Sequence, residues 1–142
     1  MTEAELLNLI AQAKDEQWEE LDLSGHSLTE LPPQIGELTQ LKRLILGKWD
    51  KEKKAWVGVG LKTLPGELER LVNLEELTLS GNQLTEIQSC VTNLIDLDVL
   101  NIAQNQLTDI PGTLTKLTKL TKLTLWGNQV SEIPEECIPL LR

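Results

Sequence analysis

Side chains able to do covalent or metal chemistry are few in this 142-residue sequence. His26 is the single histidine, and Cys90 and Cys137 are the only thiols. A zinc site draws on three or four such ligands, and a nucleophile needs a base within hydrogen-bond reach. Gly58–Val59–Gly60 lacks the third glycine of a dinucleotide-binding turn, and no P-loop, zinc-ligand or nucleophile-elbow spacing occurs. No catalytic residue, cofactor or metal is assigned, and enzymatic activity is not expected. Recognition chemistry is better represented. Trp49 and Trp56 lie in a lysine-rich stretch, and Trp126 stands among polar residues. Large aromatic side chains of this kind anchor protein partners.

The elements that position these residues repeat. "LEELTLSGNQLTEI" from Leu74, "LDVLNIAQNQLTDIP" from Leu97 and "LTKLTLWGNQVSEIP" from Leu120 start 23 residues apart. Asn82, Asn105 and Asn128 keep that step. Pro65, Pro111 and Pro134 share a slot that Gln88 fills in one copy. A further copy spans 18–40, with His26 in the asparagine slot. Another spans 41–73 and carries ten extra residues, Lys48 to Val57. The remaining copies are 74–96, 97–119 and 120–142. A repeat of this length cannot bury its apolar side alone, so copies must stack.

These segments resemble the leucine-rich-repeat pattern. The resemblance implies a right-handed α/β solenoid with five parallel strands on a concave face, starting near Glu20, Arg43, Glu76, Val99 and Lys122. Alternate strand residues turn inward, and irregular or 3₁₀ segments return along the convex side. The asparagine amide is expected to bond backbone of a neighbouring coil. Residues 1–17 read as an N-terminal capping helix. Thr2 and Glu5 have capping-box spacing, and Leu6, Leu7, Ile10, Ala11 and Ala13 form its apolar side. Trp18 is expected to pack beneath it.

Composition narrows the setting. The net charge of −9 disfavours nucleic acid and anionic membrane as partners. No apolar run is long enough to span a membrane, and "MTEAELLNLI" lacks the cationic start of a secretory leader. Two cysteines, without disulfide-rich caps, suggest a reducing, cytoplasmic setting. The charge is uneven. Residues 1–37 hold nine acids and one lysine, whereas residues 42–62 hold seven basic residues and two acids. That basic block coincides with the interruption, residues 47–60. It reads either as a solvated loop bulging from one rim, with Gly58–Gly60 a flexible exit, or as a docking element anchored by Trp49 and Trp56. Excising Lys48 to Val57 would restore the 23-residue step.

Outward side chains of successive strands line up in rows. One row reads Glu20, Arg43, Glu76, Val99 and Lys122, and the next reads Asp22, Ile45, Thr78, Asn101 and Thr124. Trp126 ends a third row after Ser24, Gly47, Ser80 and Ala103. Glu20, Arg43 and Glu76 are placed to form an alternating ion-pair ladder. These rows, with Trp49, Trp56 and Trp126, are the candidate surface for a protein partner. The final coil, "EECIPLLR", leaves Val130, Ile133 and Cys137 near an uncovered edge, where weak self-association is expected. "LILGKWD…VGVGLKTLP" and the opening "LLNLIAQAKDEQWEELDLSGHSLTELP" also resemble the repeat domains of Roco-type GTPase proteins. That resemblance implies, as an alternative, a regulatory repeat segment of a longer GTPase. A self-assembling structural solenoid is a weaker third possibility.

Overall fold

The capping box closes the first helix. In the computed structural model, which describes residues 1–28 and 30–140, helix α1 spans Glu3–Asp15. The Glu5 amide donates to Thr2 Oγ1 at 3.1 Å, and the Thr2 amide donates back to Glu5 Oε1. Leu6, Ile10 and Ala13 are buried against the first repeat. Ala11 is exposed, so the apolar stripe is narrower than its spacing suggests, and Leu9 packs in part against the core instead. Trp18 is half-buried in the same cluster.

Five three-residue strands follow the repeat frame: β1 (Glu20–Asp22), β2 (Arg43–Ile45), β5 (Glu76–Thr78), β6 (Val99–Asn101) and β7 (Lys122–Thr124). They form one parallel sheet in the order β1-β2-β5-β6-β7. Their register pairs residues of one slot: Glu20 with Arg43, Arg43 with Glu76, Glu76 with Val99, and Val99 with Lys122. The central leucines Leu21, Leu44, Leu77, Leu100 and Leu123 point into the core. Full burial of such a side chain favours folding by about 1.5–3 kcal/mol. Leu125 is only half-buried, whereas its counterparts Leu23, Leu46, Leu79 and Ile102 are sealed by the next coil.

Short 3₁₀ segments, Pro33–Glu37, Gly66–Arg70, Gly112–Lys116 and Glu135–Leu140, form the convex side. Pro32, Pro65 and Pro111 precede the first three, their rings holding φ at the value the entry needs. Gln88 replaces that proline ahead of a single α-helical turn, Ser89–Thr92. Its side chain bonds Leu64 of the preceding coil, accepting from the amide at 2.7 Å and donating to the carbonyl at 3.3 Å.

The ten-residue interruption is not a loose loop. Gly47–Asp50 (β3) and Ala55–Gly58 (β4) form an antiparallel hairpin that pairs Gly47 with Gly58 and Trp49 with Trp56. Its turn closes on Asp50 Oδ1, which accepts from the amides of Glu52 and Lys53 at 2.9 and 3.1 Å. Gly58–Gly60 is likewise no flexible exit: Gly58 is in the strand, Val59 is buried, and Gly60 takes a left-handed φ of +87° that suits glycine.

Candidate functional site

The hairpin springs from a neck built like the two turns that follow it. In a regular coil one asparagine side chain bridges two points of the preceding coil. Asn105 accepts from the Leu84 amide at 3.0 Å and donates to the Leu79 carbonyl at 2.9 Å. Asn128 repeats this with Leu107 and Ile102. Asn82 bridges Leu61 and Leu46 in the same way, at 3.0 and 2.9 Å, with the whole hairpin inserted between those two leucines. Its Oδ1 also accepts from the Val59 and Gly60 amides at 3.0 and 3.1 Å. From the other side, the Gly25 and Leu28 amides donate to the carbonyls of Gly58 and Val59 at 3.1 and 2.8 Å. The neck is thus pinned by the coils before and after it.

Above the neck the hairpin lies along the sheet toward the last repeat. Gly47 and Gly58 press on the turn at Ser80–Gly81, where a Cβ on either glycine would overlap a backbone carbonyl. Ser80 and Ala103, small residues of one slot, are fully buried. Trp56 stacks edge-to-face with Trp49 at 5.4 Å between ring centroids, and with Trp126 at 5.1 Å. Three tryptophans from two distant parts of the sequence therefore form one aromatic run. Trp56, in the middle, is half-buried, while Trp49 and Trp126 are 46% and 54% exposed.

The strand rows are brought together as their spacing requires, but several members already have internal work. Asp22 receives Lys48 Nζ at 2.8 Å together with the Ser24 hydroxyl and amide. Burial pushes the Asp22 carboxyl up, but those hydrogen bonds outweigh it and hold its pKa below the ordinary value. Asn101 Oδ1 accepts from the Ala103 amide. The expected ladder is half-formed: Arg43 Nε meets Glu20 at 3.2 Å, and among the described residues it makes no ion pair with Glu76. Its guanidinium turns toward the edge strand. Ile45, Glu76, Thr78, Val99, Asn101 and Thr124 are half-buried and Lys122 is exposed.

At the last coil Cys137 is buried in its apolar slot, and its thiol points at the Pro111 carbonyl. Ile133 is exposed and Val130 half-buried beside a depression of about 300 Å³ that also touches Trp126. Leu141 and Arg142, the end of the same coil, lie outside the described residues. Both thiols are free, and burial pushes that of Cys90 up to about 11. A larger depression, about 710 Å³, runs along the opposite rim past Glu19, Lys42, Glu75 and Asp98. It is polar, Lys42 and Lys119 on it already face Glu19 and Asp96, and it lacks aromatic residues.

Sequence reasoning named all three tryptophans and missed that they meet. The available signal was the row Ser80–Ala103, whose small side chains leave room for something to lie over the sheet. It also missed the neck role of Asn82, although the asparagine slot directly after an insertion marks it.

Residues 72–130 match the family model described as leucine rich repeat. The chain is a leucine-rich-repeat solenoid. The family match begins after the hairpin. A solved leucine-rich-repeat protein of Leptospira interrogans is 30% identical, with a TM-score of 0.62 over 93% of this chain and 38% of that one. Internalin C2 of Listeria monocytogenes is 24% identical, with a TM-score of 0.71 over 91% of this chain and 52% of that one. The solenoid therefore spans about half or less of these neighbours' lengths. No curated protein sequence matches it. Among the described residues no helix is long and apolar enough to cross a membrane.

Proposed function

We propose that the solenoid binds a protein partner across its concave strand face and the hairpin, with Trp49 and Trp126 as exposed anchors. The observation that carries this reading is the aromatic run: two tryptophans remain about half exposed although the hairpin is folded and seated. Tryptophan is enriched among residues that dominate binding energy, and insertions in repeat proteins commonly lie on the binding face. Two free, buried cysteines fit a reducing compartment, in keeping with a cytoplasmic module.

A photo-crosslinking residue at Trp126, Val99 or Ile45 tests this in the source cell, with exposed Val72 as the control position. Discrete adducts at the concave positions and none at Val72 are expected. Equal labelling at all four positions contradicts it.

Weak self-association through the last coil is a second reading, favoured by exposed Ile133 and half-buried Leu125 and Val130. Sedimentation velocity across a concentration series decides it. The Roco-like wording around the hairpin supports a third, a regulatory segment acting on a GTPase domain. Addition of such a domain and measurement of its nucleotide turnover tests that reading.

A further inference from the structure

We infer that the hairpin tip and its tryptophans recognise an acidic, extended segment of a protein partner. Carboxylates of that segment meet Lys51, Lys53 and Lys54, and an apolar side chain packs on Trp49 or Trp126. This rests on the partner-binding reading and narrows it to a ligand chemistry.

The charges single out the tip. Of the basic residues in and beside the hairpin, Lys48 is engaged by Asp22 and Arg43 by Glu20. Asp50, one of two acids in the hairpin, directs its carboxylate at the turn amides, which hold its pKa below the ordinary value. Lys51, Lys53 and Lys54 are exposed and make no ion pair among the described residues. Glu52 and the ionised Asp50 offset two of the four lysine charges in residues 47–58, which keep a net +2. The whole chain carries −9, so this is a cationic island on an anionic surface. Fields of opposite sign on one molecule orient an incoming acidic chain, because the rest of the surface repels it.

The tip is also preorganised. Asp50 fixes the turn, cross-strand pairing fixes Trp49 opposite Trp56, and Trp126 fixes Trp56. Little backbone freedom remains to be lost on binding, which favours affinity. The aromatic surface begins beside the lysines and runs to Trp126 in the last repeat. A single short segment can touch both chemistries at once.

Selection of roughly 12-residue random peptides on the intact protein tests the inference. A segment of that length spans about 40 Å when extended. The expected winners carry a surplus of Asp and Glu with one aromatic or leucine residue. A synthetic winner should shift the tryptophan emission and lose affinity as salt rises. Affinity should fall about ten-fold or more in a variant carrying Lys51→Gln, Lys53→Gln and Lys54→Gly. Glycine suits the left-handed backbone at Lys54, φ +52°, so this variant keeps the turn. Trp49→Ala should weaken binding as well. Winners without acidic surplus, no enrichment, or affinity indifferent to the lysine changes overturn the inference. So does lysine-dependent binding to phosphatidylserine vesicles without acidic-peptide enrichment, which assigns the tip to a membrane surface. Partner adducts at Trp126 that persist in the lysine variant leave the partner reading standing and remove the acidic segment. Loss of concave-face adducts from the parent protein removes both.

Discussion

The third repeat (74–96) and the second (41–73) solve one bonding problem at different chain lengths. Leu79 and Leu84 are five residues apart, Leu46 and Leu61 are fifteen apart, and one asparagine from the next coil bridges each pair with the same two hydrogen bonds. The regular coil fills the gap with a tight turn, and repeat two fills it with a folded hairpin. An insertion is tolerated where both anchor points of the stack stay put. Closing a longer loop costs little extra entropy, and here the extra residues recover some of it by pairing with one another and by stacking on Trp126.

The comparison breaks first at the asparagines. Asn82→Ala strands the Val59 and Leu61 amides, both in buried residues, together with the Gly60 amide and the Leu46 carbonyl. We expect a loss of at least ~3 kcal/mol, since each stranded buried group costs about 1–3 kcal/mol. Asn105→Ala should cost ~2 kcal/mol and half-buried Asn128→Ala ~1 kcal/mol. Equal urea midpoints for all three would show that the neck is no special clasp.

Glycines sharpen the same contrast. Gly47→Ala should destabilise by about 2–3 kcal/mol, because its Cβ meets the Ser80 backbone, which cannot yield as a flexible side chain would. Gly66→Ala, with open space around its Cβ, should be within about 0.5 kcal/mol of the parent. Thermal unfolding of the pair checks this.

A smaller effect has the opposite sign. Among the described residues Ser80 Oγ, buried under the hairpin base, has no hydrogen-bond partner, and Ala103 fills the same slot one repeat on. Ser80→Ala should therefore stabilise by about 1 kcal/mol in a denaturant titration. Destabilisation would mean that the hydroxyl is satisfied.

The smallest effect is the latch between Lys48 and Asp22. Both partners are a third or more exposed, so Asp22→Asn should cost under ~1 kcal/mol at neutral pH. The folded-state pKa of Asp22 is depressed, so its contribution is present above the ordinary Asp value and is lost as pH falls through the folded value. The difference in urea midpoint between parent and variant should shrink on acidification through that range. A difference that grows in acid contradicts the assignment.

The sheet was legible because the repeat ties each inward leucine to a slot. All five strands begin at the residue that the spacing indicates. The capping box was legible for the same reason: two side chains three residues apart suffice. The hairpin was not, because its partners are distant. Nothing local in "GKWDKEKKAWVG" says that Trp56 will meet a tryptophan 70 positions later. Lysine content suggested solvation, whereas Trp49–Trp56 cross-strand pairing and an Asp50 turn decide the local fold. The candidate surface was half legible. Its residues were named by row, but Asp22 and Asn101 turned out to hold neighbouring groups.

Amide hydrogen exchange across residues 47–58 tests most directly whether the hairpin is a seated element of the concave face. Protection well above that of the isolated 47–58 peptide is expected, and Trp126→Ala should speed exchange there while leaving Leu44, Leu77 and Leu100 unchanged. Exchange at the free-peptide rate in the parent protein, or no response to Trp126→Ala, would contradict that seating and return the segment to a solvated loop.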